Sequence, residues 1–143
     1  MRKRLGVLLA AGLAAASASV LPAAADAPAS APSPTSADVG PLTNLTISEA
    51  GTGWSGPLNK QVTLQCEPTG GTHPTPEDAC TKLSAVYGQF ALLPRAPGYG
   101  CGAVWMPVTI TVTGTWRLAP VYFTKTYGNE CEAAVGSDFV FTF

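Results

Sequence analysis

Few side chains in this sequence could do covalent or acid–base chemistry. His73 is the only histidine and lies between Thr72 and Pro74. A serine-hydrolase triad would need it together with a serine and an acid, and no nucleophile-elbow motif accompanies it. Glu130 and Glu132 stand too close in sequence to read as the two carboxylates of a glycosidase. The four cysteines, Cys66, Cys80, Cys101 and Cys131, contain no CxxC pair, and with a single histidine they make a poor zinc site. No phosphate-cradling glycine loop or metal-ligand spacing occurs. The chain therefore reads as a non-enzyme with no cofactor and no metal. His73 reads as a turn residue bonded to local backbone, with a secreted hydrolase using His73 as the rival to displace.

Recognition is the chemistry that remains. The stretch from Leu92 to Pro107 has prolines at both ends and carries Gly98, Gly100 and Gly102 around Cys101. It also holds Tyr99, Val104, Trp105 and Met106 in a connection that should be exposed. Large apolar groups on a surface loop point to an interface. Composition alone leaves equal room for these groups to tuck back onto a core.

The elements that must position this loop are mostly strands. Leu45 and Ile47 alternate with Asn44, Thr46 and Ser48. Val62, Leu64 and Cys66 alternate with Gln61, Thr63 and Gln65, and Val108, Ile110 and Val112 alternate with threonines. This period of two fits antiparallel strands with one face on a core. Thr113-Gly114 should turn the chain back through Trp116 to Tyr127. Pro120 there lacks an N–H, which predicts an edge strand or a bulge. Phe139, Phe141 and Phe143 should share one face of a last strand. A helix is predicted from Thr75 as N-cap and Pro76 at the first position, with Glu77 and Asp78 at the positive end of its dipole. Ala79, Leu83, Val86, Tyr87 and Phe90 follow helical spacing, and Pro94 ends the helix at the latest. A short helical turn is expected near Glu132 to Val135. The fold class is α+β: a five-stranded antiparallel sheet with one main helix, one short helix and two disulfides.

The N-terminus reads as an export signal. Arg2, Lys3 and Arg4 form a basic region, Leu5 to Val20 is apolar, and Ala23-Ala24-Ala25 supplies small residues for cleavage. The apolar run of about 16 residues falls short of the roughly 20 needed to span a bilayer. Residues 1–25 are thus expected to be a signal peptide and the protein to be secreted. Residues 26–39, rich in Ala, Pro and Ser, are expected to be a disordered lead, and 40–143 the folded domain. The chain carries eight basic and nine acidic residues. Removing Arg2, Lys3 and Arg4 leaves five against nine, a net charge near −4. No basic patch remains, which argues against nucleic acid and anionic membranes as partners. An even cysteine count in an exported chain reads as two disulfides, and spacing does not choose among the three pairings.

Several separated motifs then converge. Gly71-Thr72-His73-Pro74-Thr75-Pro76 with Ala79-Cys80, Cys101 with Val104, Pro107-Val108, Thr111-Val112, Gly114 and Trp116, Asn129-Glu130-Cys131, and the closing Phe139-Val140-Phe141 stand in one order. In these, and over about residues 42–143, the sequence resembles the Streptomyces subtilisin inhibitor family. The resemblance implies the pairing Cys66–Cys80 and Cys101–Cys131, a homodimer formed through the sheet, and a serine protease, subtilisin-like, as partner. It implies a reactive loop spanning Gly100, Cys101, Gly102, Ala103, Val104 and Trp105, with Ala103–Val104 as the bond offered to the protease. It also implies that Asn129 braces this loop from behind.

Three loop positions depart from the family's pattern. Gly102 stands where a proline is common, Ala103 replaces a larger specificity residue, and Gly100 replaces a larger apolar one. Ala103 cannot pair with the acidic pocket of a trypsin-like enzyme, so subtilisin-like or elastase-like targets are expected. The glycines keep open a secreted binding module of the same fold with weakened or lost inhibition.

Overall fold

The computed structural model describes residues 40–143; the expected signal peptide (1–25) and lead (26–39) lie outside the described residues. Among the described residues, the alternating segments become β1 (Thr43–Gly53), β2 (Gly56–Cys66), β4 (Val108–Trp116) and β5 (Ala119–Tyr127), with a two-residue strand β3 (Gly70–Gly71). They form one antiparallel sheet in the order β3-β2-β1-β4-β5. Ile47 lies opposite Val62 on one side and Val112 on the other, so the apolar rows of neighbouring strands coincide. Leu45, Ile47, Leu64, Val108, Ile110 and Val112 are fully buried.

Helix α1 (Pro76–Ala85) and helix α2 (Glu130–Val135) close over this face. Leu83 and Ala79 enter the core from α1, and Ala133 from α2. Phe90, Phe123 and Phe141 stack beside them at centroid distances of 5.7 to 6.1 Å. The bond Cys66–Cys80 ties β2 to α1, and Cys101–Cys131 ties the long connection to α2. They close separations of 14 and 30 residues, and chain entropy puts their stabilisation at about 3 and about 3.6 kcal/mol. The other sheet face is lined by Thr46, Ser48, Thr63, Thr109, Thr111, Thr124 and Thr126, and no helix of the described residues covers it. No helix among the described residues is long and apolar enough to cross a membrane.

Four expectations need correction. Thr113-Gly114 is not the turn: β4 continues to Trp116, and the chain reverses at Arg117-Leu118 with φ of +46° and +68°. Gly114 instead lets two backbones approach, since a Cβ there would sit 2.1 Å from the Asn44 carbonyl oxygen. A glycine in a strand pattern signals either event, and sequence does not separate them. Secondly, Phe139 to Phe143 is not a strand. The Ser137 hydroxyl donates to the Ala133 carbonyl (2.8 Å) and accepts from the Phe141 N–H (3.0 Å), winding the segment into turns. The fifth strand is Gly70–Gly71.

The third correction concerns α1, which stops at Ala85 rather than running towards Phe90. The Tyr87 N–H bonds the Ser84 carbonyl (3.1 Å) and the Gly88 N–H the Leu83 carbonyl (2.8 Å), with Tyr87 at φ +54° and Gly88 at +72°, a left-handed C-terminal cap. Tyr87 is left exposed, and Phe90 reaches the core from a separate 3-10 turn, Phe90–Leu92. Finally, Thr75 occupies the N-cap position but its side chain makes no capping hydrogen bond. Pro120 lies on the outermost strand β5, in line with its missing N–H.

Gly88 is also pressed against Trp116, whose Cγ would stand 2.4 Å from an added Cβ. Gly88→Ala is expected to destabilise the domain by about 2 kcal/mol or more, lowering Tm by on the order of 10 °C. Thermal unfolding of the two proteins checks this; an unchanged Tm would refute it.

Candidate functional site

The site is organised by the side chain that starts α2. Asn129 has extended backbone, and its Oδ1 accepts from the Glu132 N–H at 2.9 Å, capping the helix. That bond fixes which way the amide points. Its Nδ2 therefore faces the long connection, donating to the Gly102 carbonyl (3.2 Å) and to the Val104 carbonyl (2.9 Å). These are the carbonyls on either side of Ala103. Asn129 is buried, while the two carbonyls it bonds belong to exposed residues, so the amide clamps a surface segment from beneath.

Further ties hold the same stretch at both ends. On the incoming side, Cys101 is bonded to Cys131, two residues past Asn129. The Ala96 N–H bonds the Val135 carbonyl (2.8 Å), Arg95 pairs with Glu132 (2.8 Å), and the Tyr99 ring meets Phe139 edge-on at 4.9 Å. On the outgoing side, the Met106 N–H bonds the Gly128 carbonyl (2.9 Å), and the Pro107 carbonyl accepts from Thr52 (3.1 Å). Between the ties, Gly102, Ala103, Val104 and Trp105 lie exposed, Trp105 with 77% of its surface free. The apolar groups of this connection thus divide. Leu93 and Ala96 tuck onto the core, whereas Tyr99, Val104 and Trp105 face outward.

A charged cluster seats the start of α2 on the sheet. Lys60 on β2 bonds Glu130 at 2.6 Å and stands 3.6 Å from Glu49 on β1, which is directly opposite in register. Glu49 is only 2% exposed, and its Oε1 has no hydrogen-bond partner. Burial pushes its carboxyl above the usual carboxylate range, against the opposing pull of Lys60. The hydrogen bond to Glu130 raises Lys60, and Arg95 holds Glu132 below the ordinary carboxylate value.

The candidate residues for chemistry are otherwise engaged. Glu130 and Glu132 are taken up by Lys60 and Arg95. His73 is buried; its Nδ1 accepts from the Thr75 N–H (3.1 Å) and its Nε2 lies 2.9 Å from the Val140 carbonyl. One of these bonds is the local one expected, while the other reaches 67 residues along the chain. Among the described residues, no group of three or more His, Cys, Asp or Glu side chains could hold a metal. Sequence reading passed over Gly128, which contributes only a backbone carbonyl, and Trp54 at the β1–β2 turn, which lines one cleft with Gly102, Val104 and Met106. The register of the hairpin could have signalled Trp54.

An exposed segment clasped at both ends on a disulfide-bonded α+β scaffold defines a rigid-loop binding protein. A family model described as subtilisin inhibitor-like matches residues 40–129, and the chain belongs to that family. The family is one of protease inhibitors, not of enzymes. Protease inhibitor SIL-V2 of Streptomyces orinoci is 40% identical over 101 residues, covering 69% of this chain and 92% of that protein. Subtilisin inhibitor-like protein 5 of Streptomyces fradiae is 37% identical over 100 residues, covering 69% and 94%. Among solved structures, Streptomyces caespitosus sermetstatin, in complex with Bacillus licheniformis subtilisin, is similar with a TM-score of 0.58 and 26% identity, covering 71% of this chain and 98% of that one.

Two outcomes follow from this geometry. Asn129→Asp keeps the acceptor that caps α2 but loses both donations to the loop. Its Tm should fall, since a carboxylate oxygen then faces two carbonyl oxygens, and limited proteolysis between Gly102 and Met106 should accelerate; Asn129→Ala should accelerate it too while losing about 1 kcal/mol for the cap. Equal proteolysis of Asn129→Asp and wild type would refute the brace. For Glu49, the native state holds its proton to higher pH than the unfolded chain does. Its contribution to stability is therefore complete below an unfolded value of about 4.3 and is lost as pH rises through the native value. Glu49→Gln, which cannot ionise, should gain stability relative to wild type between about pH 4 and about pH 7. Urea unfolding at the two pH values measures this, and the same difference at both would contradict it.

Proposed function

We propose that this chain is a secreted inhibitor of subtilisin-like serine proteases that offers the Ala103–Val104 peptide bond as a substrate and retains both products. The observation that carries this reading is that one side chain, Asn129, bonds the carbonyl of Gly102 before that bond and the carbonyl of Val104 after it. The names of the relatives and the subtilisin complex of sermetstatin support the choice of target class.

The exposed segment enters the protease cleft as an added strand. The protease serine attacks the Ala103 carbonyl carbon, and the carbonyl oxygen takes up negative charge in the oxyanion hole. If the C–N bond breaks, the acyl group remains on the serine and the new amine is on Val104. The acyl half stays tied by Cys101–Cys131, and the amine half by Asn129 and by Met106 through Gly128. The amine remains within reach of the acyl carbon, so re-formation of the peptide competes with water. The segment is ordered before docking and loses little entropy on binding. The small Ala103 side chain suits a subtilisin-like or elastase-like pocket.

The same reading takes residues 1–25 as a signal peptide, 26–39 as a lead and 40–143 as the inhibitory domain. It pairs two copies through the uncovered threonine face of the sheet. A second reading, a binding module with weakened or lost inhibition, is favoured by Gly100 and Gly102. Nothing packs within 4 Å of where their side chains would be, so neither position adds stiffness.

Titrating subtilisin with the mature protein should give stoichiometric loss of activity and slow cleavage confined to Ala103–Val104. Ala103→Lys should shift preference towards trypsin by about tenfold or more. Rapid, complete cleavage in an intact-mass time course would favour the second reading, and cleavage elsewhere would overturn the register of the bond.

A further inference from the structure

The β1–β2 turn carries Trp54, whose surface is 81% exposed, the highest value among the large apolar side chains that face solvent. A lone exposed tryptophan on a tight turn has no role in this fold: it contributes to no strand pair or core cluster. Its location is specific. The ladder between β1 and β4 pairs Gly51 with Val108, and the Thr52 N–H extends it to the Pro107 carbonyl at 3.1 Å. Trp54 shares a cleft with Val104 and Met106. The turn is held firmly there: a Cβ at Gly51 would fall 2.2 Å from the Pro107 carbonyl oxygen, and one at Gly53 would touch Glu130 at 3.4 Å.

We propose that Trp54 is a second contact for the protease, on the side of the scissile bond that becomes the amine product. The inference rests on the inhibitor reading above and adds a surface that the loop itself does not contain. Gly100, Gly102 and Ala103 present almost no side-chain area on the incoming side. Trp54 lines one cleft with Val104 and Met106 of the outgoing side, while the Trp105 ring lies over Gly128. A protease docked across Ala103–Val104 meets that cleft, and a tryptophan near the centre of an interface is among the side chains that most often dominate binding. Trp54 thereby offsets part of the affinity lost to the small residues on the incoming side.

The test uses the mature protein and subtilisin. Trp54→Ala should raise the inhibition constant by about 10- to 100-fold, through faster dissociation rather than slower association. Its Tm should be unchanged, and the bond cut should remain Ala103–Val104. Hydroxyl-radical footprinting should show Trp54 protected in the complex and reactive in the free protein. An unchanged inhibition constant, or a Trp54 that stays as reactive in the complex as when free, overturns the proposal while leaving the inhibitor reading intact. If Trp54→Ala alters only the sedimentation of the free protein, the turn is a contact between copies and the proposal falls. If the wild-type protein does not bind subtilisin, the inhibitor reading fails and this inference fails with it.

Discussion

One carboxamide joins two structures that would otherwise be independent. Through its oxygen, Asn129 starts a helix, and through its nitrogen it holds the carbonyls on either side of Ala103. Few side chains could serve both ends, because the position needs an acceptor and two N–H groups in one rigid plane. Serine would cap the helix with nothing to spare for two carbonyls, and lysine could reach the carbonyls but offers no acceptor. The exposed segment is consequently as well placed as α2, and α2 is as well placed as the sheet beneath it.

That dependence runs down into the core. Helix α2 has only six residues, too few to be stable alone. It persists because Ala133 is buried, because Cys131 is bonded to Cys101, and because Lys60 and Glu130 pin its first turn to the sheet. The buried Glu49 behind Lys60 lacks a partner for one oxygen, a local cost borne by the domain. The long connection from Leu93 to Pro107 thus needs no secondary structure of its own. Its order comes from the disulfide, the amide and a few backbone bonds at its two ends.

Much of this architecture is legible in the order of the amino acids. The alternation of Leu45, Ile47, Leu64, Val108, Ile110 and Val112 places three strands and their buried faces, because period two hides every second residue. Pro76 with Glu77 and Asp78 places the start of α1. The misleading residues are those whose local signals have two meanings. Gly114 reads as a turn but serves close packing of strands. The phenylalanines from Phe139 to Phe143 alternate like a strand, yet Ser137 winds them into turns through bonds that periodicity does not encode. The apolar positions up to Phe90 continue a helical pattern across the Gly88 cap, since a chain that leaves a helix can return to the same core face. Within the site, Asn129 is marked only by the family resemblance, and the Gly128 carbonyl and the nearness of Trp54 come only from the folded structure.

The sheet ends in two different ways. On one side β3 pairs only with Leu64 and Gln65, so that border is mostly the open edge of β2, which carries Pro57 and Lys60; on the other stands β5, with Pro120 and Lys125. An open strand with a full row of free N–H and C=O groups recruits whatever extended chain it meets. Here each border holds a proline, which lacks a donor, and a lysine, which bears a charge. In the proposed mode of binding, the invitation to pair as a strand is thereby kept to a single address. The flanks of the sheet are poor templates for another extended chain.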